Sequence, residues 1–209
     1  MKWLRRAAAR LAPAGLLALA AAAAPAAAAD ATIAAELMQP GPLPDIVEGA
    51  AGAPATIVEY ASMTCSHCAA FHVQVWPALK AKYVDTGKAK FILREFPLDP
   101  LALAAFMAAR CAGPDKRDAM IDRLFARQQD WAFHDEPLER LRRATGLSPA
   151  DFLACVKDKA LFDGINAERD AAAERFGLDS TPSFFVDGRK LDGEPTLPAF
   201  DAALAAAAK

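Results

Sequence analysis

The succession of secondary-structure signals predicts an α/β protein, a mixed sheet carrying a long all-helical insertion. Three observations predict it. Residues 55–95 read strand, helix, strand, and two strands joined that way need a parallel crossover. Residues 97–177 keep a helical pattern almost throughout. A preferred hairpin turn, Asp187-Gly188, then precedes a last helix with Leu197, Phe200 and Leu204 on one face.

Taken in order, residues 1–29 hold Lys2, Arg5, Arg6 and Arg10 and no acid. An apolar stretch from Ala14 to Ala24 follows, and Ala27-Ala28-Ala29 offers an A-x-A cleavage site. This is the pattern of a secretory signal peptide cleaved near Ala29, and the apolar stretch is short for a membrane anchor. Residues 30–44, rich in alanine and carrying Pro40, Pro42 and Pro44, read as an extended or mobile lead. Residues 45–48 form a candidate edge strand. Residues 55–62 (ATIVEYAS) are dense in β-formers and give the strongest strand signal of the chain. After Cys65-Ser66-His67-Cys68, Phe71, Val75 and Leu79 recur at helical spacing, and Pro77 should kink or restart that helix. Gly87 ends it before a second strand over residues 88–95.

The helical block divides near 101–112, 116–129, 137–145, 148–156 and 158–176. Ser148 caps the fourth segment, with Pro149 in its first turn, and Gly177 suits the C-terminal end of the fifth. The run Leu101 to Ala109 is apolar on nearly every side. Such a helix is either fully buried or part of an apolar patch that receives unfolded chains. Residues 45–96 and 177–209 thus form one domain, and residues 97–176 are inserted into it.

Charge narrows the function. Residues 1–29 carry four of the 24 basic residues, which leaves 20 against 26 acidic ones in the remainder. An acidic body without a basic run argues against nucleic-acid binding. The four cysteines, Cys65, Cys68, Cys111 and Cys155, allow three pairings, and an even count in an exported chain favours disulfides.

Cys65 and Cys68 stand where a strand ends and a helix begins. Unsatisfied N–H groups and the helix dipole stabilise an anion there, so Cys65 is suited to be the nucleophilic thiolate. Cys68, one turn on, is placed to resolve the mixed disulfide. Structural zinc wants four ligands, usually as two close pairs, whereas Cys111 and Cys155 lie 44 residues apart. Covalent haem attachment wants His after the second cysteine, where Ala69 stands. The reading therefore carries no cofactor and no metal. His72, four residues after Cys68, could complete a three-ligand set but reads more simply as a helix residue.

Three segments carry a family resemblance: residues 60–72 (YASMTCSHCAAFH), 94–99 (REFPLD) and 180–188 (STPSFFVDG). Together they resemble the DsbA-type thiol–disulfide oxidoreductases of the bacterial periplasm, over about residues 45–205. The resemblance implies a thioredoxin-like fold with a helical insertion, and an oxidase passing its disulfide to newly exported cysteine-containing proteins. It implies a monomer in the periplasm, reoxidised by a DsbB-type quinone-linked membrane partner. By the same resemblance Pro182 is a cis-proline beside the active disulfide, and Thr181 offers backbone to an extended peptide. Glu59 is a buried acid beneath the disulfide that moves the proton of the buried cysteine. His67 could donate a hydrogen bond or charge to the Cys65 thiolate. Cys111 and Cys155 form a second, structural disulfide, stabilising by about 4 kcal/mol in the chain-entropy model.

Two positions depart from the best-known enterobacterial members. Ser66 replaces proline in the dipeptide, and Thr181 replaces valine before the cis-proline. Both positions tune potential and substrate release. An isomerase or reductase of the same fold is one alternative. A metal- or peptide-binding module using Cys65, Cys68 and His72 is the other.

Overall fold

The computed structural model describes residues 33–207. The signal-peptide reading of residues 1–29 lies outside the described residues. Among these, no helix is long and apolar enough to cross a membrane.

Helix α1 spans residues 33–37. Strands β1 (Ile46–Glu48) and β2 (Ala55–Ala61) follow, then helix α2 (Ser66–Gln74), helix α3 (Trp76–Leu79), a π-helical turn (Lys80–Val84) and strand β3 (Ala89–Glu95). The helical block comprises α4 (Pro100–Cys111), α5 (Pro114–Ala126), α6 (Gln128–Trp131), α7 (Pro137–Thr145), α8 (Pro149–Val156) and α9 (Lys159–Phe176). Strands β4 (Ser183–Val186) and β5 (Arg189–Lys190) and helix α10 (Leu197–Ala207) close the chain. The five-stranded sheet has the order β1-β3-β2-β4-β5, with β2 and β3 parallel and the other pairs antiparallel.

Strand β2 lies at the centre and is buried on both faces, which is why it reads as an almost unbroken apolar run. Its alternation divides two cores. Ile57 and Ala61 join the large core with Phe71, Trp76 and Phe91. Val58 and Tyr60 join the smaller one with Leu37, Ile92, Phe96, Leu178 and Phe185. Glu59 shares the parity of Ile57, so its carboxylate is committed to the α2 side.

The residue pattern explains the breaks. Pro77 stands in the first turn of α3, and the backbone restarts there after Val75. The segment expected over 116–129 begins at Pro114 and divides at Arg127, whose φ of −111° is not helical. Asp187 and Gly188 both have positive φ, 46° and 79°, the geometry of a type I′ hairpin turn. Asp187 also accepts the Thr56 N–H at 2.7 Å, tying the turn to β2.

Helix α4 is the axis of the insertion. Every residue from Ala102 to Ala109 is buried, so the apolar run is an enclosed helix rather than a receiving patch. Helices α5, α7, α8 and α9 pack around it. A disulfide joins Cys111 at its end to Cys155 in α8, with Cα atoms 6.0 Å apart.

The lead differs from expectation. Residues 33–37 are helical rather than extended, and Leu37 is fully buried in the smaller core. Arg94 of β3 holds the segment down. Its guanidinium donates to the carbonyls of Leu37 and Gln39 at 2.9 and 2.7 Å, to Tyr60 Oη at 3.0 Å and to Asp45 at 3.0 Å. Gly41 passes so close to Glu168 that a Cβ there would lie 1.6 Å from its Oε2. Composition alone indicates mobility in such a stretch, but a buried cation in need of carbonyl acceptors orders it. Replacing Arg94 with Ala should cost about 3–5 kcal/mol, the effect of breaking a buried charge network. Urea denaturation reads the loss, and limited proteolysis should then open the chain near residues 33–45.

Candidate active site

The site forms where β2 runs out. After Ala61 the chain turns, with the Cys65 N–H donating to the Ser62 carbonyl at 3.1 Å. Cys65 is extended (φ −75°, ψ 119°) and is the N-cap of α2. Its sulfur accepts the Cys68 N–H at 3.4 Å, the place that Ser, Thr or Asp oxygen takes in an ordinary cap. The two cysteines sit differently in the fold. Cys65 keeps 9% of its surface exposed and Cys68 none.

That difference separates their acidities. The Cys65 thiol is lowered to about 5. Its contact with Cys68 lowers it most, burial opposes, and Thr181 and the backbone N–H groups of Cys68 and His67 add to the lowering. The Cys68 thiol is pushed well up by burial, by the Cys65 contact and by the negative charge of Glu59. At neutral pH the first sulfur is therefore held as a thiolate and the second as a thiol.

Neighbouring elements hold the loop. Thr64 Oγ1 donates to Asp99 Oδ2 at 2.5 Å, and Asp99 Oδ1 caps α4 through the Ala102 N–H at 2.8 Å. From α6, the buried Gln128 donates through Nε2 to the carbonyls of Met63 and Cys65, both at 2.9 Å. The insertion thus grips the backbone that carries Cys65. The sequence reading missed Gln128, and no local pattern marks it, because its partners are more than 60 positions away.

The Thr181–Pro182 peptide bond is cis, and the Thr181 carbonyl lies 3.2 Å from Cys65 Sγ. The Thr181 hydroxyl is buried with no other partner and is free to donate to the thiolate. His67 is exposed, and its contribution to Cys65 comes from its backbone N–H, not from a ring contact.

Glu59 is fully buried, and its partner is one the sequence reading did not pair with it. His72 Nε2 lies 2.9 Å from Glu59 Oε2. The His72 ring stacks on Phe125 at 4.1 Å and 17°, and Nδ1 faces Asp122 Oδ1 at 3.8 Å. His72 thus turns to the carboxylate rather than completing a metal set with Cys65 and Cys68. Among the described residues no three His, Cys, Asp or Glu side chains converge as metal ligands. Burial pulls His72 down, yet the charges of Glu59 and Asp122 overcome it and raise the imidazole to about 9. The pairing had one visible signal, since four residues of helix place His72 on the face of Cys68.

Comparison with known proteins bears directly on this geometry. The thioredoxin family pattern matches residues 43–206. The crystal structure of Wolbachia pipientis alpha-DsbA1 is 32% identical, with a TM-score of 0.73, covering 83% of this chain and 96% of that one. The chain belongs to the DsbA-type branch of the thioredoxin family. A Rickettsia typhi protein, provisionally named a protein-disulfide oxidoreductase, is 34% identical over 148 residues, 69% of this chain. The chain spans about half the length of the curated relatives it matches, 55% in that case. A protein-disulfide isomerase of Novosphingobium aromaticivorans, 23% identical with a TM-score of 0.68, shares the fold. The DsbA-type fold thus accounts for the mixed sheet and the inserted helices.

The acidities make the stability of the reduced form depend on pH. Cys65 ionises at about 5 when folded and at about 8.5 when unfolded. A depressed acid contributes stability that is complete above its unfolded value and is lost as pH falls through its folded one. Between about 5 and about 8.5 the reduced protein should therefore gain stability with rising pH relative to the disulfide-bonded form, while His72, raised to about 9, loses stability with rising pH in both forms. Above that window Cys68, whose ionisation burial pushes well up in the folded protein, works the other way. Urea midpoints of the reduced and disulfide-bonded forms across this range, with the thiolate absorbance of Cys65, check both statements.

Proposed function

We propose that this chain is a thiol–disulfide oxidoreductase acting chiefly as an oxidase, which donates the Cys65–Cys68 disulfide to cysteine-containing proteins after their export. The observation that carries the reading is the pairing of a low-lying Cys65 sulfur at a helix N-terminus with a buried Cys68 thiol. A substrate thiolate attacks Cys65 Sγ, and the Cys65–Cys68 bond breaks with Cys68 as leaving group. A second substrate thiolate then attacks the substrate sulfur of the mixed disulfide, releasing Cys65 as a stabilised thiolate. The more that thiolate is stabilised, the more the reduced enzyme is favoured and the stronger the oxidant.

In this reading Thr181 and Pro182 line the place where an extended substrate segment lies, supported by the Thr181 carbonyl beside Cys65. Half-exposed Leu98, next to the active loop, offers that segment an apolar contact. Glu59 serves as the acid that exchanges a proton with Cys68, supported by its burial and by its charge acting on that thiol. The Cys111–Cys155 bond is a structural staple of the insertion. Residues 1–29 direct export to the periplasm, the chain works as a monomer, and a DsbB-type quinone-linked membrane oxidase restores the disulfide. These last statements rest on the signal pattern and on the family.

An equilibrium titration of Cys65–Cys68 against glutathione tests the reading. A potential near the reference value of DsbA, about −120 mV, supports an oxidase. A value near that of thioredoxin, about −270 mV, would make the protein a reductase. Cys68→Ala should abolish turnover and accumulate mixed disulfides through Cys65, whereas a peptide-holding protein would keep binding without them.

A further inference from the structure

Opening the disulfide leaves a proton to be supplied. When the Cys65–Cys68 bond breaks, Cys68 leaves as a thiolate in a site that disfavours its charge, and its surface is fully enclosed. Solvent does not reach it directly. The neighbouring acid, Glu59, is equally enclosed.

We propose that His72 holds the proton that Cys68 takes up when the disulfide opens and gives back when it closes. The inference rests on the reading of Cys65–Cys68 as the exchanging pair and of Glu59 as the proton partner of Cys68. It adds a residue that acts through Glu59, a positioning and storage role rather than contact with substrate.

His72 stands between the buried Glu59 and the surface. Cys68 and His72 are four residues apart on α2, hence on one face. His72 Nε2 is 2.9 Å from Glu59 Oε2, with side-chain exposures of 3% and 0%. On the other side of the ring, Nδ1 lies 3.8 Å from Asp122, whose side chain is 48% exposed. The Phe125 stack holds the ring plane between the two carboxylates. The groups facing His72 are Glu59 from β2, Asp122 from α5 and Cys68 on its own helix. Asp122 itself stands in the field of Glu48 and Lys80.

The step balances. At neutral pH His72 is an imidazolium, being raised to about 9. As the S–S bond breaks and the substrate sulfur bonds to Cys65, Nε2 gives its proton to Glu59, which passes one to the Cys68 thiolate. Cys68 ends as a thiol, Glu59 as a carboxylate and His72 as a neutral ring. When the disulfide re-forms, the proton returns along the same path. Asp122 is where the ring exchanges with solvent.

The test measures the rate constant, per attacking thiolate, for reduction of the oxidised protein by dithiothreitol across pH. In the wild type this constant should fall as pH rises through about 9. His72→Gln should slow the step at neutral pH by about 100-fold, the low end of a positioned acid's contribution, and flatten the fall. Asp122→Asn removes the outer charge from an exposed site and should move the fall to lower pH. In both variants the Cys65 thiolate should still titrate near 5, which a merely structural disturbance of α2 would shift. If Glu59→Gln slows the step while His72→Gln keeps both rate and fall, the storage role is overturned and the Glu59 reading stands. If Glu59→Gln has no effect either, that reading fails and takes this one with it. Should His72→Gln not fold, an unmoved fall in Asp122→Asn overturns the proposal.

Discussion

The N-cap made by Cys65 depends on where strand β2 ends, and most of the molecule is arranged around that point. A helix start leaves N–H groups without intrahelical partners, and here a sulfur meets one of them. That contact works only if the strand, the turn and the helix hold their relative places. Strand β2 is fixed on both edges, by β3 and by β4, and on both faces by separate cores. The cost of moving it would fall on the whole sheet.

The helical insertion contributes to the same point from outside the sheet. Asp99 caps α4 with one carboxylate oxygen and holds Thr64 with the other. Gln128 reaches from α6 to two carbonyls of the active loop. Since α4 is enclosed along eight consecutive residues, these contacts rest on a rigid support. The insertion is thus part of the apparatus that keeps Cys65 in place, and its Cys111–Cys155 bond fastens α4 to α8.

Two clusters of buried polar side chains stand beside strand β2. Arg94, beneath the smaller core, satisfies its donors with Asp45, Tyr60 and the carbonyls of the lead. Glu59 and His72, within the larger core, satisfy one another beside Cys68. The first cluster uses most of its hydrogen-bonding capacity and orders chain. The second leaves Glu59 Oε1 and His72 Nδ1 without hydrogen bonds, an arrangement that suits proton movement better than rigidity.

Much of this was legible in the order of residues. Strand β2, the helix caps at Ser148 and Gly177, the Asp187-Gly188 turn and the paired cysteines all rest on local chemistry: side-chain period, a cap oxygen, a permitted positive φ. Those preferences act between near neighbours and survive being read in one dimension. The order of the lead, the grip of Gln128 and the pairing of Glu59 with His72 were not legible in that way. Each joins groups 13 to 65 positions apart whose meeting depends on register and on which face of β2 a side chain takes. The chain by itself determined the chemistry available, a thiol pair at a helix start, because the spacing of Cys65 and Cys68 is covalent. Only the tertiary structure decided which buried groups could serve that chemistry, because burial and proximity exist only once the sheet and the insertion have closed on one another.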